Sequence, residues 1–141
     1  MKLVEKFFAK GHENAVGIHP MTFEITKDPH LTRRGDCVIA VNATKAPLDF
    51  SDEFKNLCRQ ENTRISIMLE ADSIVDLIRG SGNPGLKFAD QSDMVGRKSS
   101  YVSDRTVMVR ADKAAKDLKR PLIKSLKSPG TTLTIHLVAE L

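Results

Sequence analysis

Residues 36–49, DCVIAVNATKAPLD, and residues 104–117, DRTVMVRADKAAKD, read as two versions of one segment. Extended without a gap to Asp72 and Glu140, at a constant offset of 68, they align over 37 positions. Ten of these are identical: Asp36/Asp104, Val41/Val109, Ala43/Ala111, Lys45/Lys113, Ala46/Ala114, Asp49/Asp117, Thr63/Thr131, Ile67/Ile135, Leu69/Leu137 and Ala71/Ala139. Ordinary composition would give about two by chance. Any two strand-helix-strand units share apolar matches, but not a recurring Lys-Ala pair with an Asp three residues on. The chain is therefore expected to be one domain, 1–141, made of two repeats, 1–72 and 73–141, with the join near Asp72-Ser73.

Each copy carries the same pattern. Ile65, Ile67, Leu69 and Ala71 alternate with polar residues, as do Leu133, Ile135, Leu137 and Ala139, which describes half-buried strands. Val38–Val41 and Thr106–Val109 are short apolar runs suited to more central strands. Phe50, Phe54, Leu57 and Cys58, and in the second copy Leu118, Leu122 and Leu126, fall at helical spacing. Ser51 is a good N-cap for the first helix, and Pro121 fits the first turn of the second. Upstream, Leu3–Ala9 and Ile74–Arg79 read as opening strands, each followed by a glycine turn, then Thr22–Thr26 and Met94–Ser99. The expected fold is α+β and mainly antiparallel: a tandem β-β-β-α-β repeat closing as a barrel or a twisted sandwich with two short helices. Helices of two to three turns are too short for the crossovers of a doubly wound parallel sheet.

With 141 residues, 40% apolar and 28% charged, the chain has enough material for a core and is not a disordered segment. No apolar run is long enough to span a bilayer, and charge comes too early for a signal peptide, so a cytoplasmic protein is expected. Cys37 and Cys58 are matched by Arg105 and Leu126 and read as small core residues rather than a disulfide or a nucleophile. The net charge of +4 is uneven: Arg97 to Lys127 holds ten Lys/Arg against three Asp. Such a belt is either a solvated face or a footprint for an anionic partner, a nucleotide or RNA.

Gly80-Ser81-Gly82-Asn83-Pro84-Gly85 satisfies the dinucleotide-binding Gly-x-Gly-x-x-Gly pattern, but no helix follows to receive a pyrophosphate. It reads instead as a turn between antiparallel strands. Thr44-Lys45-Ala46 and Asp112-Lys113-Ala114 recur after equivalent strands, with Thr44 and Asp112 placed to cap a short turn. If both lysines approach the approximate dyad, they form an anion site. Arg97-Lys98-Ser99 and Arg105 flank the last hairpin, where guanidinium and hydroxyl donors suit a phosphate or carboxylate. The candidate ligand-binding residues are thus Lys45, Arg97, Lys98, Ser99, Arg105 and Lys113. His12 and His19 flank the first glycine turn and are the candidate proton carriers. No Cys-x-x-Cys or His-Glu-x-x-His points to a metal, and the residues name no cofactor. One tyrosine and no tryptophan leave little for base stacking.

These same stretches carry a resemblance. Gly11-His12 with Asn14, Thr22-Phe23-Glu24-Ile25-Thr26, Leu31-Thr32 with Arg34-Gly35-Asp36-Cys37, Arg97-Lys98-Ser99, Asp104-Arg105-Thr106 and Ala111-Asp112-Lys113-Ala114-Ala115 together resemble an archaeal family known as domain of unknown function 371. The resemblance spans most of the chain and implies an archaeal, cytoplasmic setting without assigning an activity. Glu13 stands where that pattern has proline, and Asn83 where it has a second histidine. The residues support three functions: a binding module for a phosphate-bearing ligand, an enzyme acting on an anionic substrate through His12 or His19, and a homo-oligomeric assembly protein.

Overall fold

The computed structural model describes residues 1–141. Eight strands and two helices follow one another as β1 (Lys2–Lys10), β2 (Thr22–Thr26), β3 (Val38–Ala40), α1 (Asp52–Cys58), β4 (Arg64–Ala71), β5 (Ile74–Ser81), β6 (Asp93–Arg97), β7 (Thr106–Met108), α2 (Arg120–Ser125) and β8 (Thr132–Glu140). A short 3-10 turn precedes each helix, at Pro47–Asp49 and Ala115–Asp117.

The strands form two sheets, ordered β1-β8-β4-β5 and β3-β2-β6-β7. The first is antiparallel throughout. In the second the central pair β2-β6 is antiparallel, while the edge pairs β2-β3 and β6-β7 are parallel. The sheets meet at each corner through a single bridge, Lys10 with Val41 and Ser81 with Val109. One bridge per corner does not make a continuous ladder, so the arrangement is a sandwich and not a closed barrel.

Period-two burial explains why the layers pack. Ile65, Ile67, Leu69 and Ala71 of β4 are buried, as are Leu133, Ile135, Leu137 and Ala139 of β8. They meet Phe23, Ile25, Met94 and Val107 from the second sheet, and Phe54, Leu57, Leu122 and Leu126 from α1 and the α2 region. These belong to one apolar cluster of 31 residues that draws on both halves of the chain. Phe50, expected on the α1 stripe, lies just ahead of the helix, at the end of the 3-10 turn, and stacks edge-on against Phe54. Leu118 occupies the same place before α2.

Two further expectations change. The segment 98–105, read as a hairpin, joins parallel strands, as does 27–37, so the chain must travel back along the sheet before each short third strand begins. The glycine segment that starts at Gly82 carries the chain from one sheet to the other and closes no hairpin. Glycine is needed there on steric grounds: a Cβ at Gly82 would run into the Cys58 carbonyl, as one at Gly11 would run into the carbonyls of Leu126 and Ser128.

Backbone contacts recur at matched positions, at an offset of 68 in the aligned segment and 71 upstream of it. His12 N donates to Leu126 O and Asn83 N to Cys58 O; His19 N donates to Asp36 O and Asp90 N to Asp104 O. Gly17 and Phe88, another such pair, both adopt left-handed φ values, 55° and 50°.

Candidate functional site

The twin lysines lie at the ends of equivalent strands but do not converge. Lys45 Nζ is 2.8 Å from Glu5 Oε1, and Lys113 Nζ is 2.6 Å from Asp76 Oδ1. Glu5 sits on β1 and Asp76 on β5, the two edges of the first sheet. With β8 and β4 between, three strand spacings separate them, about 14 Å. Each carboxylate also accepts from a backbone N–H at a helix start, Glu5 from Ser51 and Asp76 from Lys119. Burial alone would raise the Asp76 carboxyl, but the Lys113 ammonium and the Lys119 and Leu77 N–H groups hold it below the usual range. Lys45 and Lys113 thus neutralise buried carboxylates that anchor the helices.

Thr44 and Asp112 accept backbone N–H groups, though not from the turns they precede. Thr44 Oγ1 takes Phe8 N and Asp112 Oδ1 takes Arg79 N, tying each loop to an opening strand. The 3-10 turns are closed by Asp49, accepting from Ala46 N, and Asp117, accepting from Ala114 N. Lys27 and Lys98 pair with these two aspartates at 2.6 and 2.7 Å.

The histidines serve their turns. His12 Nδ1 accepts from Asn14 N, and His19 Nδ1 accepts from the backbone of Met21 and Thr22. Asn83 and Asp90 do the same at the matched positions, accepting from Gly85 N and from Ser92 and Asp93 N. The bonded Nδ1 is therefore the unprotonated nitrogen, and Nε2 carries the ring hydrogen. Neither imidazole is hydrogen-bonded to Lys45, Arg97, Lys98, Arg105 or Lys113.

Chemistry-bearing side chains gather instead on the outer face of the second sheet. On β2, Phe23 and Ile25 face the core, which turns Glu24 and Thr26 outward. Glu24 is nevertheless only 8% exposed. Arg105, from the crossover before β7, reaches Glu24 Oε1 at 3.2 Å and Asp93 Oδ2 at 3.7 Å. The Cys37 thiol, from the crossover before β3, lies 3.8 Å from the same Glu24 oxygen. Burial first, and then Asp93, push the Glu24 carboxyl above its ordinary value despite the opposing pull of Arg105. Burial and Glu24 in turn push the Cys37 thiol up to about 11, so it is no thiolate nucleophile near neutral pH.

Arg97, at the end of β6, lies beside this group. Its Nε donates to Thr106 Oγ1 at 3.0 Å and one terminal nitrogen to Ser103 Oγ at 3.2 Å. The guanidinium stacks over Tyr101 at 5.0 Å from the ring centroid. Burial, then the Arg105 charge, hold its pKa below the usual guanidinium range. Of the five candidate cations it alone has no carboxylate partner. Ser99 Oγ accepts from Tyr101 N in the same crossover. Arg105 borders one open hollow of about 400 Å³, together with Lys87, Asp90, Tyr101, Ser103 and Asp104; a second, of about 310 Å³, is bordered by its partners Glu24 and Asp93 with Asp28 and His30. The sequence pointed to Arg97, Ser99 and Arg105; it gave no sign of Glu24, whose burial depends on two distant crossovers.

The fold and this face define an α+β sandwich with a carboxyl–guanidinium cluster on its second sheet. The family described as domain of unknown function (DUF371) matches residues 7–140, and the chain belongs to it. It is also 44% identical over 119 residues to the uncharacterized protein MJ0206 of the archaeon Methanocaldococcus jannaschii, covering 84% of this chain and 87% of that one. Four of the six stretches that carried the resemblance, Thr22–Thr26, Leu31–Cys37, Arg97–Ser99 and Asp104–Thr106, lie in the second sheet or its crossovers; the other two follow β1 and β7.

Proposed function

We propose that the protein binds a small phosphate-bearing ligand of nucleotide size over Arg97 and Arg105, on the outer face of the second sheet. One observation carries this reading: a half-buried arginine, oriented by two hydroxyls and a tyrosine ring, keeps N–H donors free and has no carboxylate of its own. A guanidinium held this way is pre-organised for a phosphate or carboxylate. The hollow bordered by Arg105 and by the Tyr101 and Ser103 that hold Arg97 is about 400 Å³, within the range of small-ligand sites. An extended RNA footprint is less well supported, because much of the basic belt is used internally. Lys98, Arg105 and Lys113 pair with carboxylates, Lys119 Nζ donates to Val75 O, and Arg120 donates to the Gly17, Ala115 and Leu118 carbonyls. A cytoplasmic setting belongs to the same proposal. We also infer that the chain descends from the fusion of two copies of one half, which the matched contacts and the ten identities support.

Calorimetric titration with inorganic phosphate and with a nucleoside monophosphate tests the site. Both are expected to bind, and Arg97→Ala to weaken binding by tenfold or more, as expected for loss of a charge-assisted contact of about 1.5–3 kcal/mol. Lys127→Ala, at the far end of the belt, is expected to leave it unchanged. Equal loss in both variants would mean a diffuse electrostatic surface rather than a site.

A further inference from the structure

Glu24 and the proposed ligand compete for one cation. Arg105 is the sole positive charge in salt-bridge contact with Glu24, and it also reaches Asp93 on the neighbouring strand. The other groups facing Glu24 are acidic or weakly acidic. Asp93 comes from β6, Asp90 from the turn before it, and the Cys37 thiol from the crossover before β3. Asp28 and His30, from the crossover after β2, border the hollow that Glu24 lines, and Arg97 adds a more distant positive field. If an anion draws Arg105 away, Glu24, only 8% exposed with Arg105 in place, is left beside Asp93 with no cation against it. An unpaired carboxylate in that position is strongly disfavoured and is relieved most simply by protonation.

We propose that Glu24 is the proton-exchanging residue of this site: as an anion takes Arg105, the Glu24 carboxylate picks up one proton from solvent and becomes a neutral acid. The step balances in charge. A carboxylate–guanidinium pair, a ligand anion and a proton become a carboxylic acid and a guanidinium–ligand pair. The O–H so formed lies next to the bound anionic group, so the ligand class is a phosphate ester, or a carboxylate, with an oxygen beside the anion that accepts a hydrogen bond. Glu24 thereby determines specificity and positions a proton next to the ligand. Burial and Asp93 already raise the Glu24 carboxyl above its ordinary value before any ligand arrives. The inference rests on the anion-binding reading above.

Sulfate separates the two, because it carries a constant charge between pH 5 and pH 8 and brings no proton of its own. Titrated calorimetrically near neutral pH in buffers of different ionisation enthalpy, the wild-type protein is expected to take up about one proton per sulfate bound. Its affinity is expected to fall by up to about tenfold for each pH unit above neutral, the slope of a single linked proton. Glu24→Gln, isosteric and unable to ionise, is expected to bind sulfate at least as tightly with no proton uptake, whereas His30→Asn is expected to keep the uptake. Sulfate binding without proton uptake in the wild type overturns the inference and leaves the anion site standing. Loss of uptake in His30→Asn, or its persistence in Glu24→Gln, also overturns it. Failure to bind sulfate at all overturns both readings. The wild-type proton count stands without any variant, so a misfolded Glu24→Gln protein does not spoil the test.

Discussion

Asp76 shows how much one side chain holds together. It is 3% exposed, pairs with Lys113, and accepts from Lys119 N where α2 begins. Asp76→Asn keeps the volume but removes the charge from a buried pair, a change that costs about 3 kcal/mol or more; urea denaturation at neutral pH measures it. The pH dependence has a definite sign. Because the folded-state value is depressed below that of a free aspartate, its contribution is complete above about pH 4. It is lost as pH falls through the lower folded value, so wild type and variant should converge in acid. At this scale the recurring Lys-Ala and Asp drew attention to Lys45 and Lys113, each of which pairs with a carboxylate. The partners of the lysines could not be seen, because Glu5 and Asp76 lie 40 and 37 residues away in sequence, in strands that share little beyond a carboxylate. The turn role of His12 and His19 was hidden for another reason: an imidazole nitrogen serves as a turn acceptor as well as an Asn or Asp oxygen does.

The elements divide by length. The long strands β4 and β8 were legible from alternation alone, which needs only local sequence, and β1 and β5 as the opening strands ahead of their glycine turns. The three-residue strands β3 and β7 were found in the sequence, but they are the edges of the second sheet and not its centre, and they pair in parallel; both position and direction are decided by contacts with β2 and β6 and not by their own residues. That miss concealed the candidate site, which is built under the crossovers that parallel pairing requires. The helices begin differently. α1 is capped by Ser51 Oγ, which accepts from Phe54 N, whereas Lys119 before α2 offers no such cap. Ser51→Ala should therefore lower stability by about 1 kcal/mol, read from the shift in thermal midpoint. The Glu5 bond to Ser51 N involves the backbone and survives the substitution, which keeps the loss at that size.

At the scale of the whole molecule, the first sheet joins the halves: β4 and β8 pair along its centre, and β1 pairs with β8 across the full chain. The two ends of the chain consequently touch. Met1 N donates to Leu141 O at 2.8 Å, and Leu141 N donates to Met1 O at 2.9 Å. This gap matches the turn at Asp72-Ser73: Leu3 pairs with Ala139 just as Ile74 pairs with Ala71. One edge of the sheet is thus closed by a covalent loop and the other by hydrogen bonds alone. Circular permutation should be tolerated, with a short flexible linker joining Leu141 to Met1 and new ends opened between Asp72 and Ser73. Such a variant is expected to unfold in one cooperative transition within about 2 kcal/mol of the original, by circular dichroism, because it breaks no buried contact. A permutant that melted far earlier would mean that the Asp72-Ser73 link holds the fold in a way its open counterpart does not. Swapping the order of the two halves should then leave both sheets, and the outer face of the second, as they are.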